Sequence, residues 1–294
     1  MKYVSTNRVR SGTFLGKPLY DCAGSVLFEE FTKLTPAVMR TIRQNGYKGL
    51  YVVEFRPEGE VISRDVVNDI RIKATSNLDD IFDSIITNDV VSFDSAISNT
   101  KEAALILVTS LLEDNRALFN VSELKTHNQY TYNHSYNVSV LSVATGLAMG
   151  LAQEDLCKLY MAAMLHDIGK RFIPNEILDK PSKLTDSEYL IAKTHTTSGY
   201  YCLKNVYDVP LLTRVGILQH HENYDGSGYP YGLSANEISL FGSIIHVTDV
   251  FDAFASKRCY HEERSLEDTL AFVKQQAGKM FCPKVVAAFE QCTI

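Results

Sequence analysis

The chain has 294 residues, of which 45% are hydrophobic and 22% charged, and its formal net charge is −6. This length and apolar content can fill the cores of one sizeable domain and a smaller one, so we expect a globular protein. The acidic balance argues against binding long nucleic acid through a broad basic face, but it is compatible with a small nucleotide ligand.

The first fifty residues predict a small α/β module. Thr13–Tyr20 and Ser25–Phe31 have the composition of a strand hairpin, and Gly49–Phe55 that of a third strand. Between them, Thr35 and Pro36 have the features of a helix N-terminus. Nothing in this module resembles a catalytic or cofactor motif, so a sensor, dimerisation or structural role is equally open.

The remainder of the chain predicts helices. Residues 77–115 carry apolar stripes at helical spacing and are expected to connect the two domains. Further helices are predicted at about Tyr130–Gly150, with His134 in the first turns, and at Leu156–His166. Another helix is predicted around Asp249, since apolar residues precede and follow it.

Two helix boundaries are predicted from individual residues. Gly169 is a plausible terminator of the helix before it. Thr185 with Glu188 makes a capping box, which we expect to start the helix that carries His195.

The compartment is predicted from cysteine usage and from the N-terminus. Six cysteines are scattered without a C-x-x-C pair, which favours reduced thiols over a disulfide framework. Residues 1–10 are polar and lack the apolar core of a signal peptide. Because no stretch gives about 18 uninterrupted apolar residues, we expect a cytoplasmic protein without a membrane span.

Histidines and aspartates give the chain its most informative pattern. Imidazole and carboxylate suit borderline divalent ions such as iron, manganese and zinc. A mononuclear site uses about four protein ligands, so a larger set predicts a second ion. Adjacent ligands on a helix point in different directions and suit a two-metal cluster. The set is His134, His166, Asp167, His195, His220, His221 and Asp249.

One economical division of this set between two ions is our hypothesis. The first ion takes His134, His166, Asp167 and Asp249, and the second takes His195, His220 and His221. The Asp167 carboxylate is then predicted to bridge both ions. A single histidine is by itself more often a core or surface residue than a ligand. We interpret His246 as such an ordinary residue and Asp252 as a solvated or capping residue.

An ordered series of motifs resembles that of HD-GYP proteins. The motifs are His134-Ser135, His166-Asp167-Ile168-Gly169-Lys170, His220-His221-Glu222, Asp225-Gly226-Ser227-Gly228-Tyr229-Pro230, and Asp249 with Arg258. The series is far more specific than a lone His-Asp pair and runs from about residue 100 to the C-terminus. The resemblance implies a mainly α fold. In it, a small α/β accessory domain with a helical connector, residues 1–99, precedes an all-helical HD-superfamily domain, residues 100–294.

The resemblance also implies an activity. It is that of a metal-dependent phosphodiesterase that hydrolyses cyclic di-GMP to linear pGpG, and in some cases on to GMP, through a hydroxide activated by two metal ions. Iron is favoured, with manganese and zinc as alternatives. Tyr130 stands where members with a third metal have glutamate, which favours two ions. A non-catalytic cyclic di-GMP receptor and a phosphohydrolase for another nucleotide stay open, because fold and metals do not fix the base.

The resemblance assigns further roles near the metals. Asp167 and Lys170 are the implied catalytic residues, and Lys170 matches the lysine that reaches the phosphate. Arg258 is similar to a phosphate fork, with a surface salt bridge as its alternative. Tyr229, in the loop Asp225–Pro230, is expected to contact the substrate. By sequence alone, such a loop is more commonly a tight turn in which the tyrosine ring packs into the protein. The loop is also predicted to offer a surface to a signalling protein, and a homodimer stays open.

Overall fold

The computed structural model describes residues 2–6, 9, 13–20, 26–47, 49–53, 64–113, 130–255 and 265–293. The chain divides into two compact units, Met1–Ile62 and Ser63–Ile294. This division lies ahead of the predicted boundary between residues 99 and 100. The reason is that the helices of the predicted connector pack on the helices that follow them.

The first unit is small and mixed. Its elements are β1 (Lys2–Ser5), β2 (Phe14–Leu15), β3 (Leu19–Tyr20), β4 (Val26–Phe28), α1 (Pro36–Gln44) and β5 (Gly49–Val53). One antiparallel sheet has the order β1-β5-β2, and β3 pairs with β4 in a second. As predicted, Thr35 is the N-cap of α1, and its Oγ1 accepts a hydrogen bond from the Val38 amide at 3.3 Å. Met39 and Ile42 on α1 join the strand residues Leu15 and Leu50 in one apolar cluster.

One predicted strand of this unit is two strands. The segment Thr13–Tyr20 bends at Gly16 and Lys17, so that β2 pairs with β5 while β3 pairs with β4. Pro18 follows the bend and has no amide hydrogen for a sheet. The predicted hairpin is confirmed in the β3–β4 pairing. Of the predicted strand Gly49–Phe55, residues 54 and 55 lie outside the described residues.

The second unit is helical, which confirms the predicted fold class of a mainly α chain with a small N-terminal α/β part. Its α-helices are α2 (Arg64–Thr87), α3 (Val90–Glu113), α4 (Tyr130–Ala148), α5 (Gln153–Met164), α6 (Asn175–Leu178), α7 (Asp186–Lys193), α8 (His195–Cys202), α9 (Leu211–Gln219), α10 (Leu240–Ala255), α11 (Leu266–Gln275) and α12 (Pro283–Thr293). Two 3₁₀ helices span Ile168–Phe172 and Ala235–Glu237. Among the described helices, none combines the length and the apolarity that a membrane crossing needs.

The helical pattern over residues 77–115 is interrupted. Asn88 has a φ of 54°, and the Asp89 carboxylate accepts hydrogen bonds from the amides of Val91 and Ser92, both at 3.1 Å. A side chain that satisfies two free amides starts a new helix. The predicted segment is therefore the hairpin of α2 and α3, with residues 114 and 115 outside the described part.

Helix α4 is the centre of the second unit. Tyr136 and Val140 belong to one apolar cluster, whereas Val138 and Leu141 belong to a second cluster on another side. Its buried Ser142 is paired inside the protein, where its hydroxyl lies 2.8 Å from that of Thr248 of α10. This packing fixes α4 against α5, α10 and α12.

Two predicted boundaries differ from the structure. Helix α5 ends at Met164, and Gly169 lies inside the following 3₁₀ helix instead of terminating α5. The capping box of Thr185 and Glu188 is confirmed, but α7 ends at Lys193. The hydroxyl of Thr194 donates to the Ile191 carbonyl at 2.7 Å and closes α7, so His195 opens α8.

The cysteines in the described part are free thiols, namely Cys157, Cys202, Cys282 and Cys292. Cys22 and Cys259 lie outside the described residues.

Candidate metal centre

All seven predicted ligands come together in the second unit. They form three overlapping groups in which one potential ligand atom per residue lies within 4.8 Å of the others. The groups are His134–His166–Asp167, His166–His220–Asp249 and His195–His220–His221. The first and third groups share no residue, and members of the second link them. This arrangement has the composition and proximity that a cluster of cations requires.

Helix ends deliver most of these side chains. His166 and Asp167 lie in the turn after α5, His195 is the first residue of α8, and His220 and His221 follow the last residue of α9. His134 in the first turns of α4, as predicted, and Asp249 within α10 come from helix interiors. Within a helix, the side chains of adjacent residues point about 100° apart. At a helix end the backbone leaves the helical geometry, so the side chains of both members of each pair can reach one centre.

Three histidines are oriented by their own backbone. His166 Nδ1 lies 2.7 Å from the Ala163 carbonyl, His195 Nδ1 2.7 Å from that of Ala192, and His220 Nδ1 2.6 Å from that of Ile217. A carbonyl oxygen only accepts, so each Nδ1 carries the hydrogen and donates it. In the neutral ring, Nε2 then holds a lone pair. The Nε2 atoms of His195 and His220 lie 3.4 Å apart, so these lone pairs converge.

Two aspartates lie beside His134. Its Nε2 is 3.1 Å from Asp249 Oδ1, and its Nδ1 is 2.7 Å from Asp252 Oδ2. The other oxygen of Asp252 accepts a hydrogen bond from the Asn137 amide group at 3.0 Å. The interpretation of Asp252 as solvated or capping is wrong, because its side chain is buried and orients His134.

Asp167 belongs to the first group and also approaches His195 of the third. Its Oδ2 is 3.3 Å from His166 Nε2, and its Oδ1 is 3.7 Å from His195 Nε2. Each oxygen of the carboxylate therefore faces a different histidine group. This is the placement that a bridging ligand needs.

The donor atoms fit divalent cations. His166 Nε2 is buried without a hydrogen-bond partner among the described residues, and such an atom is costly unless something satisfies it. Burial lowers the pKa of His195 and His220, and lowers that of His221 to about 3. Neutral imidazoles keep a lone pair free, which is the form that binds a metal.

Both carboxylates of the centre are held ionised. Burial raises the pKa of Asp167, but the charges of His166 and Lys170 outweigh it and hold the pKa well below its usual range. For Asp249, burial is likewise outweighed, here by the hydrogen bond from His134 and by nearby imidazoles, and its pKa also lies well below the usual range. Negative oxygens and the neutral nitrogens of His195, His220 and His221 therefore share one centre.

The predicted substrate residues have different positions. Lys170 donates a hydrogen bond to Asp167 Oδ2 at 2.5 Å while 43% of its side chain is exposed. The ring of Tyr229 lies 4.8 Å from the His221 ring, and its amide donates to the His221 carbonyl at 3.1 Å. Arg258 lies outside the described residues.

Glu222 anchors the loop that carries Tyr229, a role that sequence reasoning did not identify. Its buried carboxylate accepts hydrogen bonds from the amides of Tyr231 at 2.7 Å and Leu233 at 3.0 Å. Its carbonyl accepts one from His246 Nδ1 at 2.9 Å. The position of Glu222 directly after two predicted ligands was the available signal. His246 is outside the three ligand groups and supports the same loop.

We expect Glu222→Gln to destabilise this loop. An amide has one acceptor oxygen, so one of the two loop amides would face an NH₂ group and lose its partner, at a cost of about 1–3 kcal/mol. Urea unfolding measures the change. Glu237→Gln is the control, since Glu237 caps an exposed turn of the same region with one oxygen. Equal stability of Glu222→Gln and the unmodified chain would contradict the anchoring role.

The comparison with protein families decides the chain's family. The family described as "HD domain" matches residues 118–285, which is more than half of the chain and includes all seven clustered residues. The chain belongs to the HD domain family. The resemblance predicted from its motifs is thereby confirmed.

Curated relatives of the HD domain carry phosphodiesterase names. A cyclic di-GMP phosphodiesterase of Thermotoga maritima is 41% identical over 160 residues, covering 54% of this chain and 44% of the relative. The response regulator RpfG of Xanthomonas campestris, a cyclic di-GMP phosphodiesterase, is 43% identical over 143 residues, 48% of this chain and 37% of the relative. A 3'3'-cGAMP-specific phosphodiesterase 1 of Vibrio cholerae is 37% identical over 159 residues, 54% of this chain and 36% of the relative. The chain thus spans less than half the length of these relatives.

A solved structure shares the fold. An HDG"Y"P protein from Bdellovibrio bacteriovorus matches with a TM-score of 0.63 at 15% identity, covering 99% of this chain and 98% of its own. At this identity the likeness concerns the fold alone.

Proposed function

We propose that this HD domain protein is a phosphodiesterase that hydrolyses cyclic di-GMP to linear pGpG with two divalent metal ions. The observation that carries the proposal is the position of Asp167, whose two oxygens face histidines of two ligand groups. Iron is the favoured metal, with manganese and zinc as alternatives, because imidazole and carboxylate suit these ions. We place the protein in the cytoplasm.

The residues present allow one assignment of ligands. His134, His166 and Asp249 would hold the first ion, His195, His220 and His221 the second, and Asp167 would join both. When bound, such ions supply Lewis acidity and lower the pKa of a coordinated water to about 7, which provides a nucleophile at neutral pH.

The protein's own groups would position the phosphodiester. The Lys170 ammonium is bound to the buried Asp167 carboxylate while 43% of the Lys170 side chain is exposed, so the ammonium can also contact a phosphate oxygen. Asp167 in turn restrains Lys170 through their hydrogen bond. Six of the seven side chains are buried, and a low dielectric around them would strengthen each electrostatic interaction with the phosphate. Arg258 stays a prediction as a further phosphate contact.

Two cyclic dinucleotides that differ in one base are candidate substrates. Relatives named for cyclic di-GMP and for 3'3'-cGAMP are similar to this chain to a comparable degree. An enzyme for 3'3'-cGAMP is therefore the second candidate. The proposed surface of Asp225–Pro230 for a signalling protein and a homodimer stay predictions.

A nucleotide panel tests the activity. Protein prepared without oxygen and supplied with iron or manganese should convert cyclic di-GMP to pGpG in the presence of either metal, and chelation should stop the reaction. Faster turnover of 3'3'-cGAMP would select the second candidate. Binding of cyclic di-GMP without turnover in any metal would contradict the enzyme proposal and favour a receptor.

We expect cation binding at the centre to release a proton from His134. Burial disfavours its charge, but the hydrogen bonds to Asp249 and Asp252 outweigh burial and raise the pKa of the imidazole to about 9. Because this pKa lies above the usual value, the ring is charged at pH 7 and becomes neutral only as the pH rises through about 9. A cation requires the neutral ring, so metal affinity should increase with pH over that range.

The substitution Asp252→Asn tests whether the released proton comes from His134. The variant loses the negative charge that stabilises the His134 cation, so it should release fewer protons at pH 7 than the unmodified chain. Calorimetry of manganese binding in buffers of different ionisation enthalpy counts the protons. Equal release by the two proteins would show that His134 is already neutral.

A further inference from the structure

A lysine lies beside the metal centre without a carboxylate partner among the described residues. Lys193, the last residue of α7, places its Nζ 4.4 Å from the ring centre of Tyr189 and 5.1 Å from that of Tyr229. Aromatic faces attract a cation, so two rings hold this ammonium. By contrast, Lys180 donates to both carboxylate oxygens of Glu188, at 2.7 and 2.6 Å. The charge of Lys193 is thus held in place but not neutralised by an acid.

Tyr229 connects Lys193 to the histidines of the centre. Its ring is 4.8 Å from the His221 ring, with 30° between the planes, and 6.3 Å from the His195 ring. The Lys193 ammonium contacts the Tyr229 ring, and the Tyr229 ring contacts the His221 ring, so Lys193 lies close to the centre. Lys170, whose ammonium group also lies at the site, is bound to Asp167. Lys170 thus contacts the centre directly, whereas Lys193 contacts Tyr229 beside it, so the two ammonium groups can meet two different anionic groups.

We propose that Lys193 binds the second phosphodiester of a cyclic dinucleotide while the first phosphodiester is hydrolysed at the centre. This inference rests on the proposed function. A cyclic dinucleotide carries two negative phosphodiesters in one ring, so the group that is not cleaved stays close to the centre. A lysine ammonium suits phosphate as a point charge. Tyr189, 49% exposed, and Tyr229 fix its position before the substrate arrives.

Two alternative roles of Lys193 predict different effects of its loss on the three classes of substrate. Lys193 could serve only to hold Tyr229 in place, in which case its loss affects every substrate through the loop. Its ammonium could instead contact the O6 and N7 acceptors of guanine, in which case its loss affects only substrates with guanine. The second phosphodiester is shared by all cyclic dinucleotides and is absent from a simple diester.

The test compares Lys193→Met and Lys193→Arg in the full chain supplied with manganese. Substrates are cyclic di-GMP, cyclic di-AMP and bis(4-nitrophenyl) phosphate, which has a single phosphodiester. We expect Lys193→Met to raise KM for both cyclic dinucleotides about tenfold, with kcat nearly unchanged and the simple diester unaffected. Lys193→Arg should restore most of the loss. Lys204→Met is the matched control, since Lys204 lies 5.8 Å from the Tyr201 ring elsewhere on the surface.

Binding is measured separately from turnover. The dissociation constant of a phosphorothioate analogue of cyclic di-GMP should rise about tenfold in Lys193→Met. This measurement tests Lys193 even if the chain binds without hydrolysing, which would refute only the proposed function. Unchanged binding, an effect limited to guanine, or equal losses on all three substrates would overturn the role of Lys193. A chain that neither binds nor hydrolyses any cyclic dinucleotide would refute both proposals.

Discussion

Asp167→Ala is expected to abolish phosphodiester hydrolysis and to lower the number of bound metal ions. The carboxylate faces His166 with one oxygen and His195 with the other, so its removal deletes a ligand from both proposed ions. Loss of an outer-shell partner costs about 10–100-fold in metal affinity or activity, so we expect a shared ligand to cost at least about 1,000-fold in kcat. Metal analysis and product formation from cyclic di-GMP measure the two effects.

The control for this variant is Asp179→Ala, which removes a carboxylate from an exposed position after α6. It should leave the metal content and the hydrolysis rate unchanged. Circular dichroism of both variants should show the same helix content. Full activity of Asp167→Ala would refute the bridging assignment.

Gly169→Ala is expected to disrupt the group His195–His220–His221 through a backbone clash. A Cβ at this position would lie 1.8 Å from the His195 carbonyl oxygen and 2.6 Å from the Gly199 amide nitrogen. Neither atom can rotate away as a side chain does, so the 3₁₀ helix and α8 must separate. Overpacking typically costs 1–3 kcal/mol, and we expect about 3 kcal/mol here. For a unit of this size the melting temperature should fall by roughly 6–12 °C.

Gly199→Ala is the matched control on the other side of this contact. Its Cβ would meet side-chain methyl groups of Ile217 at 3.1 Å and Ile168 at 3.2 Å, which can shift by a few tenths of an ångström. We expect a loss of about 1 kcal/mol and an intact metal centre. Thermal unfolding and metal titration compare the two variants. Equal effects of both would contradict the special role of the contact between Gly169 and His195.

The seven side chains that come together could be predicted because their chemistry is visible in single residues. Adjacent pairs such as His166-Asp167 and His220-His221 have no role in packing an apolar helix, so their presence indicates a site. The helix starts at Thr35 and Thr185 could be predicted for a similar reason, since a cap acts within one turn of chain.

Contacts between distant elements could not be predicted in this way. Asp252 looks like any polar residue of a helix until α4 brings His134 to it, although its spacing of three from Asp249 places both on one face. Gly169 was interpreted from its local pattern as a helix terminator. The reason that the position is glycine is the His195 carbonyl on another helix. Lys193 carried no sequence signal beyond its place near His195.

The break between α2 and α3 had a local signal that apolar periodicity obscured. Asn88 and Asp89 are residues that tolerate positive φ and cap helices. The apolar stripes on either side of them continue at helical spacing, because both helices face the same cluster. Apolar periodicity indicates which residues are buried, and a hairpin of two helices can keep the same apolar spacing on both sides of its turn.

The central claim is that the seven side chains hold two ions and that hydrolysis needs both. Titration of metal-free protein with manganese, with bound metal and cyclic di-GMP hydrolysis followed together, tests it most directly. We predict saturation at two ions per chain, with hydrolysis appearing only as the second ion binds. Saturation at one ion, or full hydrolysis when only one is bound, would contradict the claim.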